Sequence, residues 1–291
     1  MDTFKLNAYG KINLGLDVVG RLENGYHQVR MVMQTIGIFD ELTFTRRKEG
    51  IRITSDSNDI PTNEHNLVYK AVRLMKETYN IAGGVEIHLK KRIPVAAGMA
   101  GGSSDAAAAL RGVDRMFGLG LNQQELCRLG VQIGADVPYC IMGGTVLAEG
   151  IGEKLTPLAA APDCYVLLVK PDVSVSTRDV YTNFRLDKVK VHPDIDGMIQ
   201  AVKEGSLSGI TSRMENVLEQ VTVSRYPVIQ DIKDKMKEMG AMNSLMSGSG
   251  PTVFGIFCEE EGARKAYEGM RIQYKTYQIY LTKLWNIEFR E

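Results

Sequence analysis

The chain has 291 residues, which at roughly 150 residues per domain suits two domains. Lys+Arg 35 balances Asp+Glu 35, for a formal net charge of +0, and 44% of residues are hydrophobic. The balance argues against a dominant nucleic-acid binder, whose affinity leans on excess positive charge, and the length buries a core that needs no disulfide or metal staple.

The first residues, MDTFKLNAYGKINLG, lack a basic region followed by an apolar run, so no signal peptide is expected. Strand patterns fall at 3–9 and 11–18, with Gly10 between them, and at 28–38, 40–46 and 51–54. Glu23-Asn24-Gly25 is a turn signal. So much strand before the first helix excludes a doubly wound dinucleotide fold. A helix is predicted after a cap at Asn63, from the spacing of Leu67, Val68, Ala71, Leu74 and Met75. A strand follows at 85–89. Residues 94–109, PVAAGMAGGSSDAAAA, are the densest small-residue stretch, and Ser103, Ser104 and Asp105 suit a helix start. The alanines carry that helix to about Met116. A shorter helix fits 123–131.

Residues 129–148 are nearly free of charge, but Asp136, Pro138 and the glycines at 130, 134, 143 and 144 interrupt them. Asp136 would be costly in lipid. The segment is predicted as buried strand and loop in a cytoplasmic protein. A boundary near 157–163 divides the chain into domains 1–160 and 161–291. The second opens with a strand at 165–169 and is mostly helical over 192–240. Pro227 suits a helix start, with Ile229, Ile232, Met236 and Met239 on one stripe. A tight turn at 247–251, a strand at 253–257, a helix at 262–270 and strands at 275–288 close the chain. The class is α+β, helices on largely antiparallel sheets.

Cys127, Cys140, Cys164 and Cys258 form no CxxC pair and suit reduced, mostly buried thiols. The histidines do not cluster with Cys or Asp at metal-ligand spacing, and no GxSxG elbow is present. Gly98, Gly101 and Gly102 lead into Ser103, Ser104 and a helix. Convergent N–H groups and a helix N-terminus make a phosphate cradle there. The alternative is a small-residue packing contact. The loop lacks the Lys of a Walker A motif and is not GxGxxG. Ser247 to Pro251 is a second anion nest or a type II turn. Asp136, in an uncharged surround, caps a turn or acts as a general base. Lys11 reaches solvent or lines a site together with Asn13, two residues on and on the same strand face. Tyr26 and His27, taken alone, suit structural or surface roles.

PVAAGMAGGSSDAAA resembles the second motif of the superfamily joining galactokinase, homoserine kinase, mevalonate kinase and phosphomevalonate kinase, the GHMP kinases. AYGKINLGLDVVGRLENGYHQV, GADVPYC and SGSGPTVFGIF extend the resemblance over essentially the whole chain, with the three superfamily motifs in order. The combination of Lys11, Tyr26-His27 and Asp136 resembles the branch that phosphorylates a cytidyl-linked methylerythritol. The resemblance implies a two-domain α+β GHMP-kinase-like fold. Its N-terminal domain would be ribosomal protein S5-like with a left-handed βαβ unit, and its C-terminal domain a ferredoxin-like α/β sandwich. ATP and a cytidyl polyol would bind in a cleft between them, with Mg2+, and neither nucleic acid nor membrane is implied.

By the same resemblance Asp136 is the base and Lys11 orients the hydroxyl and Asp136. Asn13, Tyr26, His27, Thr177, Tyr181, Gly248, Ser249 and Gly250 would meet the substrate. Tyr26 and Tyr181 would stack on the cytosine while His27 bonds its edge. Asn66, Pro94, Val95, Ala96, Ala97, Gly98, Met99, Ala100, Gly101, Gly102, Ser103 and Ser104 would meet ATP. No residue is assigned to the metal, and the sequence specifies no oligomeric state. A homoserine or mevalonate kinase is disfavoured, because those substrates have no base to stack. Against the usual loop PxGxGLGGGSSNAA, Ala96 and Ala100 replace glycines, Met99 replaces leucine and Asp105 replaces asparagine. An alanine at 96 or 100 is free of strain only if φ is negative there.

Overall fold

Two long strands open the chain, β1 (Thr3–Arg21) and β2 (His27–Arg47), in a computed structural model that describes residues 3–23 and 25–286. The break predicted at Gly10 is absent. Gly10 stays extended within β1, and its missing side chain lets Ile38 close on the backbone, 3.3 Å from where a Cβ would stand. The gap predicted between 38 and 40 is likewise filled by β2, because Asp40 is buried within the strand. Asn24, in the predicted turn, lies outside the described residues.

The chain divides into two compact units. The first comprises Met1–Gly10, Ile38–Val95 and Ala100–Met142. Here β3 (Ile51–Ser55) pairs in parallel with β4 (Gly84–Lys90), and α1 (Leu67–Thr78) connects them as a βαβ unit. β4 pairs antiparallel with residues 41–47 of β2. The cap of α1 is Asn66 rather than Asn63. Asn66 Oδ1 accepts from Val68 N at 2.8 Å, while Asn63 Oδ1 turns the preceding loop by accepting from His65 N at 3.1 Å.

α2 (Gly101–Phe117) buries Ala106 to Ala109, and Gly112 lies so close to the Phe44 ring that a Cβ would overlap it. Small residues here let the helix approach the sheet. α3 (Gln123–Ile133) follows, with Asn122 and Glu125 forming a capping box. The strand and loop predicted after it is instead a short helix, α4 (Val137–Met142), before β5 (Thr145–Gly150). Pro138 sits in the first turn of α4, where its missing N–H costs no helical bond.

The second unit comprises Lys11–Gly37, Ala96–Met99 and Gly143–Glu291. β5 pairs antiparallel with residues 29–34 of β2 and with β6 (Lys154–Pro157). β7 (Tyr165–Lys170) precedes α5 (Thr177–Asn183), a helix with no sequence expectation. α6 (Ile195–Lys203), α7 (Leu207–Thr211), α8 (Glu219–Arg225) and α9 (Val228–Glu238) form the helical stretch. Pro227 opens α9, whose Ile229, Ile232 and Met236 are buried. β8 (Asn243–Met246), β9 (Val253–Phe257), α10 (Glu260–Gln273) and β10 (Gln278–Lys283) complete it. The four strands are antiparallel in the order β10-β7-β9-β8. With α9 and α10 between them, this is the ferredoxin-like arrangement. Residues 287 and 288 of the predicted last strand lie outside the described residues. Cys140 and Cys164 are buried, whereas Cys258 is exposed. No helix among the described residues is long and apolar enough to cross a membrane.

Candidate active site

In the glycine loop, every second residue from 96 to 100 takes left-handed backbone. Ala96 has φ 51°, Gly98 φ 74° and Ala100 φ 57°, directly before α2. Both alanines therefore take the conformation that glycine favours, at about 1–2 kcal/mol each. Ala100 offers α2 no side-chain cap, so among the described residues no side chain caps the N–H groups of Gly101, Gly102 and Ser103, as an anion site requires. Ser104 is committed to structure: its Oγ donates to Tyr9 O at 2.5 Å and its N–H to Ala100 O at 2.8 Å. Pro94, Ala97 and Met99 are buried, while Val95, Ala96 and Gly102 face outward. Asn66 uses both side-chain ends locally, its Oδ1 capping α1 and its Nδ2 donating to Pro61 O of the preceding loop at 2.6 Å.

Within the second unit the two glycine loops touch. Ser247 Oγ donates to Gly98 O at 2.9 Å, and a Cβ on Gly98 would strike the Ser247 carbonyl. Gly98→Ala therefore combines a positive φ with a backbone collision. It is expected to cost at least about 2 kcal/mol and to lower Tm by roughly 5 °C. Thermal denaturation checks this, and an unchanged Tm would show that the loops part without cost.

Gly248 and Gly250 both have positive φ, 58° and 87°. Asn216, which the sequence reading missed, pins this turn by donating to Met246 O and Gly248 O, each at 2.8 Å. A lone Asn 32 residues before its partner leaves no local signal. Lys11 does not reach solvent. It is 5% exposed, its Nζ donates to Asn13 Oδ1 at 2.7 Å, and its N–H donates to Met99 O at 3.2 Å. Alternate residues of β1 put Lys11 and Asn13 on one face, and that face meets the second glycine turn. A Cβ on Gly248 would stand 3.6 Å from both Lys11 Nζ and Asn13 Oδ1.

Thr177 Oγ1 and Ser249 Oγ share a hydrogen bond at 2.8 Å, which ties the start of α5 to the same turn. His27 sits among aromatics: its ring centroid is 5.3 Å from Tyr181 and 5.9 Å from Phe184, the latter edge-on. Phe184 was not anticipated. Burial, aided by the charge of Arg21, holds His27 below its ordinary pKa. A neutral imidazole offers one donor and one acceptor. Tyr26 is 60% exposed beside it.

Asp136 belongs to the first unit, immediately before α4. It is half-buried, and its carboxylate has no hydrogen-bond or ion-pair partner among the described residues. The turn-capping role considered for it is not found there. Such a carboxylate is open to a ligand proton.

The GHMP kinases N terminal domain matches residues 66–144, and the GHMP kinases C terminal region matches residues 198–276. A 4-diphosphocytidyl-2-C-methyl-D-erythritol kinase of Lachnospira eligens is 56% identical over 284 residues, 97% of this chain and 99% of that protein. One of Lachnoclostridium phytofermentans is 50% identical over 98% of both chains. A crystal structure of 4-(cytidine 5'-diphospho)-2C-methyl-D-erythritol kinase, 31% identical, superposes with a TM-score of 0.83 over 97% of this chain and 99% of that one. Homoserine kinase from Cytophaga hutchinsonii, 21% identical with a TM-score of 0.81 over 98% of this chain and 95% of that one, shares the fold.

Proposed function

This chain belongs to the 4-diphosphocytidyl-2-C-methyl-D-erythritol kinase family of GHMP kinases, and from that premise we propose how its residues carry the transfer. The enzyme moves the γ-phosphoryl group of ATP to the 2-hydroxyl of 4-diphosphocytidyl-2-C-methyl-D-erythritol, a step of non-mevalonate isoprenoid precursor synthesis.

Phosphoryl transfer needs alignment and positive charge more than covalent chemistry. The open N-terminus of α2 supplies N–H donors for the ATP phosphates, and the left-handed residues before it keep side chains away from them. Lys11, held by Asn13, supplies fixed charge for the transferring group. Asp136 accepts the proton that the 2-hydroxyl loses. Tyr26 and Tyr181 flank the cytosine and neutral His27 bonds its edge, with Phe184 fixing the imidazole. The turn of Gly248, Ser249 and Gly250, braced by Thr177, borders the substrate diphosphate.

Magnesium enters as part of the substrate MgATP. Such an ion is held largely through the nucleotide phosphates. The two matched regions lie on either side of residue 160, which supports a functional division into 1–160, with the glycine loop, and 161–291, with the second turn. The reaction is assigned to the cytoplasm, in keeping with four cysteines that form no disulfide among the described residues.

The observation that carries the cytidyl reading is the 56% identity across 97% of the chain. An ADP-release assay with MgATP tests it, using the cytidyl polyol beside mevalonate and homoserine. Turnover is expected with the cytidyl polyol alone. Turnover with mevalonate or homoserine instead would overturn the substrate assignment.

A further inference from the structure

Beneath the first turn of α2 lies a buried charge cluster that the proposed chemistry does not use. Lys91 Nζ donates to Asp40 Oδ2 at 2.5 Å and to Asp105 Oδ2 at 2.6 Å. Asp40 Oδ1 accepts the backbone N–H groups of Arg92 and Ile93 at 2.5 and 2.9 Å. Asp40 is thus satisfied at both oxygens. Asp105 Oδ1, by contrast, is buried without a hydrogen-bond partner among the described residues. Two carboxylates face one ammonium in a site closed to water, so full ionisation leaves surplus negative charge there. One proton removes the surplus, and the unpaired oxygen marks Asp105 as its carrier.

The electrostatics run the same way. Burial pushes the Asp105 carboxyl up to about 7, with the Lys91 ammonium opposing and the Asp40 charge adding. Burial alone would lower Lys91, but the charges of Asp105 and Asp40 outweigh it and keep the ammonium above its ordinary value. α1, α3 and α4 also pack on α2, and the charges acting on Asp105 are those of Lys91, after β4, and Asp40, on β2.

The cluster reaches the phosphate turn. A Cβ on Gly101, the first residue of α2, would stand 3.6 Å from Lys91 Nζ. Asp105 is one turn further on, about 6 Å along the axis. Resting on the reading that this turn binds the ATP phosphates, we propose that Asp105 is a proton-carrying positioning residue. The turn takes a polyphosphate best when Asp105 is protonated, so nucleotide binding draws a proton onto the cluster. With that proton in place, Asp40 and Lys91 cancel and no negative charge faces the phosphates through the helix start. With it gone, a like charge within roughly 10 Å weakens binding about fivefold.

Calorimetric titration of MgATP, without the polyol, tests this in the parent and in Asp105→Asn. Asn is neutral, nearly isosteric and usual in the resembled loop. The parent Kd is expected to rise about threefold from about pH 6 to about pH 8, while that of the variant changes little. Across buffers of different ionisation enthalpy near pH 7, the parent should take up about a third of a proton more than the variant. The difference between the two isolates Asp105 from the nucleotide's own titration. Equal proton uptake and parallel pH profiles would overturn the proposal while leaving the turn as the nucleotide site. A parent that binds no MgATP at any pH would remove that reading, and the proposal with it. Should the variant fail to fold, carboxyl NMR titration of the parent decides. An Asp105 pKa that rises with MgATP supports the proposal, and an unmoved one overturns it.

Discussion

Asp136→Asn is expected to lower kcat by about a hundredfold to ten-thousandfold while KM for both substrates moves little. Asn keeps the size and polarity of the side chain and loses the ability to take a proton. Asp136 has no hydrogen-bond or ion-pair partner to lose among the described residues, so folding should not suffer. Steady-state ADP release, with the far-UV spectrum and Tm alongside, checks this. Nearly full activity in the variant would mean that the hydroxyl loses its proton elsewhere. The outcome separates general-base chemistry from pure alignment, which is the open question for phosphoryl transfer of this kind.

Lys91→Met is expected to be the most destabilising of these single changes. The Lys91 side chain is 6% exposed, and it bridges Asp40 and Asp105. Removing one partner of a buried ion pair costs about 3–5 kcal/mol, because the carboxylates left behind have lost both water and counter-charge. That is a fall in Tm of roughly 10 °C. The loss should depend on pH. Asp105 has a folded pKa raised to about 7, against an unfolded value near about 4. The folded chain therefore holds more protons than the unfolded one across that window, and this contribution to stability is lost as pH rises through it. Without the ammonium that opposes the shift, the window extends upward. The deficit relative to the parent should be smaller near about pH 5 than near about pH 8. Thermal unfolding at both values decides it. A Tm within about 2 °C of the parent at the higher pH would mean that the cluster repacks around a neutral pair.

The two predictions differ in how far the sequence could see. Asp136 stood out because a carboxylate in an uncharged run is conspicuous, and GADVPYC carried the resemblance. Lys91 did not stand out. In KKRIP it is one basic residue among several, and its partners lie 51 residues before it and 14 after. Asp105 was visible only as a departure from the usual asparagine. The same contrast runs through the secondary structure. β9 was expected at 253–257 and runs Val253–Phe257, because a short apolar run between turn residues has one reading. β1 and β2 were each cut in two, at Gly10 and near Phe39, although both strands run on. A glycine usually punctuates a chain. This one is small because Ile38 closes on it, which no window along the sequence contains.

The sequence by itself determined the family and the α+β class, and it singled out Asp136, while the roles of Lys11 and His27 came only with the resemblance. The class and the motifs that carry the resemblance are written in residues close together along the chain. The tertiary structure alone decided that Lys11 is buried on Asn13 rather than solvated, and that Asn216 holds the second turn. It decided as well that Ala96 and Ala100 accept left-handed backbone, and that Asp40 and Asp105 share one lysine. Those facts arise where distant segments meet. Burial and charge at such a point are set by whatever the fold brings there, and neighbouring residues in the sequence hold no record of it.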